Sequence, residues 1–390
     1  MILEEAQVLH LPAGVHTFDS PIILSTRSAI VGDGLEHTII KFVGDFNGPA
    51  ISSAGFHHLA HTDKWFYEDG VPVRMSIKDL SIDLSSWKPK AQATTGIIEN
   101  PMAPLYDLGT FGIGLYAKRY AISNVHLHDT PYGGFYSSCS LLGGKRHPYL
   151  DAPEAFIDNF EITTCGGDGF VFSGPHDTII GRLLVSLTKG KGVYIFTTPQ
   201  HNGACDIDFI HAYGTNDVAI DIQAKIKARF LQGDTGIATG VRIGGSNKTF
   251  IETIEAFKTR AGKTSEPSYA VEIVAVENQI GMIRCRADAG THGVHIKSPG
   301  NIISSINCDC KYPHPNFKNL DQTFLPIGLH VSAGQNIINA FRCINYRTAP
   351  IHTTRLPKRC FLAASLDSAQ YSDALVSGTG FDESSKIVFI

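Results

Sequence analysis

The chain is poor in the residues that mark several protein classes. Methionine (4) and tryptophan (2) are scarce, and eight cysteines are too few to staple 390 residues as a disulfide scaffold. No apolar run is long enough to cross a bilayer as a helix, so no membrane partner is expected. Excess positive charge is missing too. Lys and Arg number 33 against 37 Asp and Glu, a net −4 that gives no electrostatic case for nucleic acid. The N-terminal stretch MILEEAQVLHLPAG has no basic segment leading into an apolar one, so no signal peptide is legible; a trimmed start or export by another route is expected. A ten-residue helical period is absent between Gly112 and Thr348.

What is abundant is glycine (38 residues), alongside 43% hydrophobic and 18% charged residues, a globular composition that leans towards strands and turns. One eight-residue phrase occurs three times: NQIGMIRC at 278–285, NIISSINC at 301–308 and NIINAFRC at 336–343. A second phrase, Gly-apolar-x-apolar, recurs as GLYA from Gly114, GFYS from Gly134, GFVF from Gly169, GVYI from Gly192, DVAI from Asp217, GVRI from Gly240, AVEI from Ala270, GVHI from Gly293 and GLHV from Gly328. Starts recur at intervals of roughly 20 to 35 residues, the spacing of a solenoid with loops of unequal length. Alternation within the phrases indicates strands. Asn at the head of the first phrase suits a corner, because it tolerates left-handed backbone and can satisfy turn amides. The expected fold is all-β: a parallel β-helix of roughly ten or more coils over 1–350, with C-terminal strands or a cap over 351–390. Segments 143–155 and 311–326 break the rhythm and read as loop insertions. The cysteines lie inside apolar runs and are expected as free, buried thiols; Cys285, Cys308 and Cys343 would stack as one inward column.

The segment VLHLPAGVHTFDSPIILSTRSAIVGDGLEHTIIKF (8–42) resembles the first coils of right-handed β-helix proteins of the pectate lyase superfamily, and CGGDGFVFSGPHDTIIGRLLV (165–185) resembles a further coil. That group includes polysaccharide lyases, glycoside hydrolases and phage tailspike depolymerases. The resemblance implies a right-handed coil, a polysaccharide substrate and, through the tailspikes, a homotrimer that is extracellular or virion-associated. An amphipathic helix usually caps the first coil in that group; ILEEAQ reads as its remnant. No named activity follows residue by residue. The polygalacturonase motifs have only scattered echoes at Gly167-Asp168-Gly169, Asn216-Asp217 and Thr291-His292-Gly293, and the Asp-Pro-His motif of alginate epimerases is absent. The acidic calcium cluster and Arg-Pro motif of pectate lyases are not evident, so no cofactor is expected and calcium has no motif to hold it.

The register offers an independent route. In Gly-apolar-x-apolar the apolar pair faces inward and x faces out. The outward column then runs Tyr116, Tyr136, Val171, Tyr194, Ala219, Arg242, Glu272, His295, His330, with Lys118, Phe196, Asp221 and Lys297 two residues on. An exposed aromatic strip of Tyr116, Tyr136, Tyr194 and Phe196, with His330, would bind sugar rings. Asp221 and Glu272, two coils and so roughly 10 Å apart, could serve hydrolysis at the inverting spacing, with Arg242 between them. Arg242, His295 and Lys297 could instead serve β-elimination from a uronate. Either chemistry makes a depolymerase of a bacterial or acidic polysaccharide; a non-catalytic glycan-binding protein is the alternative. Asp168 reads as a corner residue, and His57, His58 and His61 lack the acidic or Cys partners of a metal site.

Overall fold

A computed structural model describes residues 1–57, 73–89, 108–138, 154–197, 205–234, 238–245, 248–257, 268–286, 291–309, 327–344, 350–354, 357–366, 376–378 and 381–389. The chain divides into two compact units, Met1–Phe209 and Ile210–Ile390. Each is a parallel β-helix in which strands of a short-strand sheet alternate along the chain with strands of a long-strand sheet.

In the first unit the short strands include Phe135–Ser138, Phe170–Ser173 and Val193–Phe196, paired in parallel. Its long strands include Ser76–Trp87, Ala121–Thr130, Phe156–Cys165 and Thr178–Thr188. In the second unit the short strands run Ile220–Gln223, Val241–Ile243, Ser268–Ile273, Thr291–Ile296, Leu329–Val331 and Ile351–Thr353, again all parallel. Its long strands run Ile226–Asp234, Phe250–Phe257, Gln279–Arg286, Ile302–Asp309, Ile337–Ile344 and Phe361–Leu366. Strands of the 351–390 stretch thus add to both sheets of the second unit. The loop segments at 143–153 and 311–326, Cys139, Cys310, His58 and His61 lie outside the described residues.

The two phrases of the sequence explain each other. Inward Val294, Ile296, Ile303 and Ile306 are fully buried, each contributing about 1.5–3 kcal/mol by leaving water. Cys285, Cys308 and Cys343 are buried thiols outside any disulfide and in register on neighbouring strands, with their sulfurs inward. A Cβ on Gly293 would come 2.6 Å from Cys308 Sγ, and one on Gly328 would come 2.7 Å from Cys343 Sγ. Glycine opens the short strand because the cysteine of the same coil already fills that space.

The asparagines work differently from the sequence expectation. Asn278, Asn301 and Asn336 are buried and do not take the left-handed conformation; Glu277, Gly300 and Gln335 just before them do. Each Asn instead forms a rung of a hydrogen-bonded stack. Asn278 Nδ2 donates to Asn301 Oδ1 at 2.8 Å and Asn301 Nδ2 donates to Asn336 Oδ1 at 3.0 Å. The second amide hydrogen goes back three residues, to Ala275, Ser298 and Ala333 carbonyls. Both amide hydrogens of Asn278 and of Asn301 are thereby bonded to protein acceptors.

Candidate functional site

Pairing on the short-strand sheet of the second unit sets Asp221, Arg242, Glu272, His295, His330 and His352 on consecutive rungs. This corrects the expected column at one rung: Arg242 stands opposite Asp221, not Ala219. The strand frame is AIDI from Ala219, two residues later than the DVAI frame. In the first unit GLYA is displaced likewise. Tyr136 pairs with Gly114, so Tyr116 lies outside that column.

The expected exposed aromatic strip is not present. Tyr116, Tyr136, Tyr194 and Phe196 are each no more than 3% exposed. The Tyr136 ring packs between Phe56 (5.6 Å) and Phe111 (5.1 Å), Tyr194 stacks on Phe196 at 4.8 Å, and Lys191 Nζ covers the Tyr194 ring at 3.7 Å. Outward positions of the first unit's sheet are therefore a second packed layer, and these side chains cannot stack on a sugar as they stand.

The ladder of the second unit is charged and partly open. Glu272 is its hub. Lys297 Nζ donates to Glu272 Oε1 at 2.6 Å; Arg242 Nε and Thr239 Oγ1 donate to Oε2 at 3.0 and 3.1 Å. Arg242 also reaches back, its Nη1 lying 3.8 Å from Asp221 Oδ2, and Gln223 Nε2 donates to Asp221 Oδ1 at 3.3 Å. Asp221 is fully buried, whereas the side chains of Arg242 and Lys297 remain 32% and 39% exposed. Burial alone would raise the Glu272 pKa, but the Lys297 hydrogen bond and the Arg242 charge outweigh it and hold the carboxyl below its ordinary range. The Arg242 guanidinium, though burial opposes its charge, is held charged by Glu272 and Asp221.

Beyond Glu272 the ladder turns to histidine. The rings of His295 and His330 stack at 3.9 Å with 3° between planes. His295 Nε2 lies 2.7 Å from Ser332 Oγ, and His330 Nε2 lies 3.3 Å from both Ser332 Oγ and Thr354 Oγ1. The Tyr269 hydroxyl meets His330 Nδ1 at 2.7 Å. Burial, then the neighbouring His330 and Lys297, push His295 down to about 3; burial, then His352 and Lys297, push His330 down to about 4. His292 is lowered to about 4 by burial and by His330, and it accepts the Ile327 amide on Nδ1 at 3.0 Å. Burial, followed by the Glu272 charge, pushes the Tyr269 phenol up to about 12. At neutral pH the site thus holds neutral imidazoles and a protonated phenol beside two cations.

The structure therefore brings Asp221, Arg242, Glu272, His295, Lys297 and His330 together, and it separates Tyr116, Tyr136, Tyr194 and Phe196 from solvent. Sequence reasoning missed Tyr269, His292, Ser332, Thr354 and His352. Strict alternation sends Tyr269 inward with Val271, yet its ring lies 4.5 Å from that of His295. The pleat is broken at Ala270 and Gly293, the first position of the phrase, so residues three apart (Tyr269 and Glu272, His292 and His295) share a face. A small residue at that position was the available signal.

Elsewhere, in the first unit, Asp83, His128 and Asp129 offer ligand atoms within 4.8 Å of one another. Lys41 Nζ lies 2.9 Å from Asp83 Oδ2 and already compensates that carboxylate. Asp168 accepts the Lys191 amide at 2.7 Å and serves a coil corner.

No family model matches the sequence, and no curated protein matches it. Among solved structures, the A-module of the Azotobacter vinelandii mannuronan C-5 epimerase AlgE4 superposes with a TM-score of 0.57 at 14% identity, covering 97% of this chain and 90% of that one. The AlgE6 A-module from the same organism gives 0.55 at 13% identity, covering 98% and 90%. At these identities the likeness concerns the fold, which this chain shares with both modules: the parallel β-helix.

Proposed function

We propose that the protein depolymerises an acidic polysaccharide by β-elimination, with the histidine end of the ladder as its centre. The observation that carries this reading is the Tyr269–His330 contact of 2.7 Å on the face that also holds Lys297 and Arg242. Elimination from a uronate needs a base for the C5 proton, a cation against the carboxylate as negative charge develops, and an acid for the departing oxygen. Neutral His330 is the base. Lys297 and Arg242, each about a third exposed, face the carboxylate. The Tyr269 phenol gives its proton to the leaving oxygen. The C5–H and C4–O4 bonds break and the C4=C5 bond forms; the imidazolium then returns its proton to the Tyr269 tyrosinate, which restores both groups.

Hydrolysis fits the same side chains less well. Glu272 is held ionised and cannot act as the proton donor, and Asp221 is fully buried behind Arg242. The likeness to two mannuronan C-5 epimerase modules supports a uronate polymer as the substrate class.

Incubation with alginate, polygalacturonate and uronate-bearing bacterial capsules tests this. The expected result is a rise in unsaturated-uronate absorbance with at least one polymer, lost in Tyr269→Phe. New reducing ends without that absorbance would mean hydrolysis. Inverted C5 without shortening would mean epimerisation, and binding without any change would leave a glycan-binding protein.

A further inference from the structure

The long-strand sheet of the second unit carries a cleft of about 410 Å³ that the ladder does not use. Its rungs run Glu255, Arg284, Asn307 and Arg342 in register, with Phe257, Arg286, Asp309 and Ile344 on the parallel column two residues on. Arg284 is held on one side, its Nη1 lying 2.5 Å from Glu255 Oε1. Arg342 and Asn307 are exposed, and neither side chain has a hydrogen bond or ion pair to another described residue. Three exposed polar rungs, two of them unpartnered among the described residues, flanked by the half-buried Phe257 and Ile344, form a concave surface with directional donors and an apolar edge.

We infer that this cleft is a second saccharide-binding site, distinct from the ladder, in which the Arg342 guanidinium grips a sugar carboxylate and Asn307 an adjacent hydroxyl. A guanidinium presents a planar fork that matches a carboxylate bidentately, and Arg284, two rungs or roughly 10 Å away, can take a second carboxylate further along the same chain. Phe257 supplies the ring edge against which a sugar face rests, and Asp309 accepts from hydroxyls. The site holds polymer without cleaving it, so a long substrate would be retained between turnovers.

The test is equilibrium titration of the full chain, in a Tyr269→Phe background that prevents turnover, with tetrasaccharides of galacturonate and mannuronate, a neutral galactose tetrasaccharide and sodium sulfate. At least one acidic tetrasaccharide is expected to show a component that Arg342→Ala weakens about 10-fold to 100-fold, the range for losing a charge-assisted hydrogen-bonded pair. Asn307→Ala should weaken it about threefold to tenfold, and Arg342→Lys should fall between the parent and Arg342→Ala. With Tyr269 intact, Arg342→Ala should cleave short oligomers at the parental rate, which separates this site from the ladder. Unchanged binding in Arg342→Ala and Asn307→Ala would overturn the inference. So would neutral tetrasaccharide or sulfate binding as tightly as the acidic sugars, or no binding by either acidic tetrasaccharide.

Discussion

The outward positions of the short-strand sheets carry opposite chemistry in the two units. In the first unit they include Tyr136, Val171 and Tyr194, all buried, with both tyrosines packed on further rings. In the second they are Asp221, Arg242, Glu272, His295, His330 and His352, joined by ion pairs and short polar contacts. The strand architecture is the same; what the outward side chain meets decides its role. A ring at such a position is an extra layer of core, and an ionisable group there is retained only where neighbouring rungs compensate it.

The sharpest way to break this comparison is to place a charge in the wrong column. Tyr136→Asp should destabilise the first unit by about 4 kcal/mol or more, since a carboxylate would be buried between the Phe56 and Phe111 rings; denaturant unfolding would measure it. In the second unit, Glu272→Gln leaves Arg242 and Lys297 without their shared carboxylate. The loss expected there is about 2–3 kcal/mol, below the range for fully buried pairs because both cations are about a third exposed. A smaller loss, about 2 kcal/mol, is expected for Asn301→Ala, which strips both Asn278 Nδ2 and the Asn278 backbone N–H of their acceptor, while Asn336 Oδ1 keeps the residue 301 backbone N–H.

Acid should also separate the units. His292, His295 and His330 fall from about 6.5 in an unfolded chain to about 4, 3 and 4 in the folded one, so the unfolded chain takes up protons first. Their contribution to stability is complete above about pH 6.5 and is lost as pH falls through that value towards 4 and 3. Hydrogen exchange, corrected for its intrinsic pH dependence, should show Thr291–Ile296 losing protection between pH 7 and 5 while Val193–Phe196 loses less. Equal losses would remove the distinction. The smallest effect expected is that of Cys308→Ala, about 1 kcal/mol and the same under oxidising and reducing conditions, because the cysteine column packs as small apolar groups.

Much of the architecture was legible because two repeated phrases carried the strand register. The NIISSINC-type phrase marks the long strand and its buried cysteine, and the GVHI-type phrase marks the short one. The frame slipped by two residues at Asp217 and Gly114. A two-residue slip keeps every side chain on its own face, so the pattern of apolar residues could not expose it. Asp221 was accordingly assigned to the correct face but one position from its rung. Tyr269 and His292 were lost for a different reason, the broken pleat at Ala270 and Gly293. The burial of Tyr136 was not legible at all, because what covers that outward side chain includes Phe56, from a distant part of the chain, and Phe111, from the preceding coil.

The account stands most directly on the Tyr269–His330 pair as the proton-transferring centre. The decisive measurement is the initial rate of unsaturated-uronate formation by the parent, Tyr269→Phe and His330→Gln on the polymer that the parent cleaves, with folding checked by circular dichroism. The account predicts that each variant folds and loses at least about 100-fold in rate, the scale of general acid–base catalysis. Folded variants that cleave at the parental rate would contradict it.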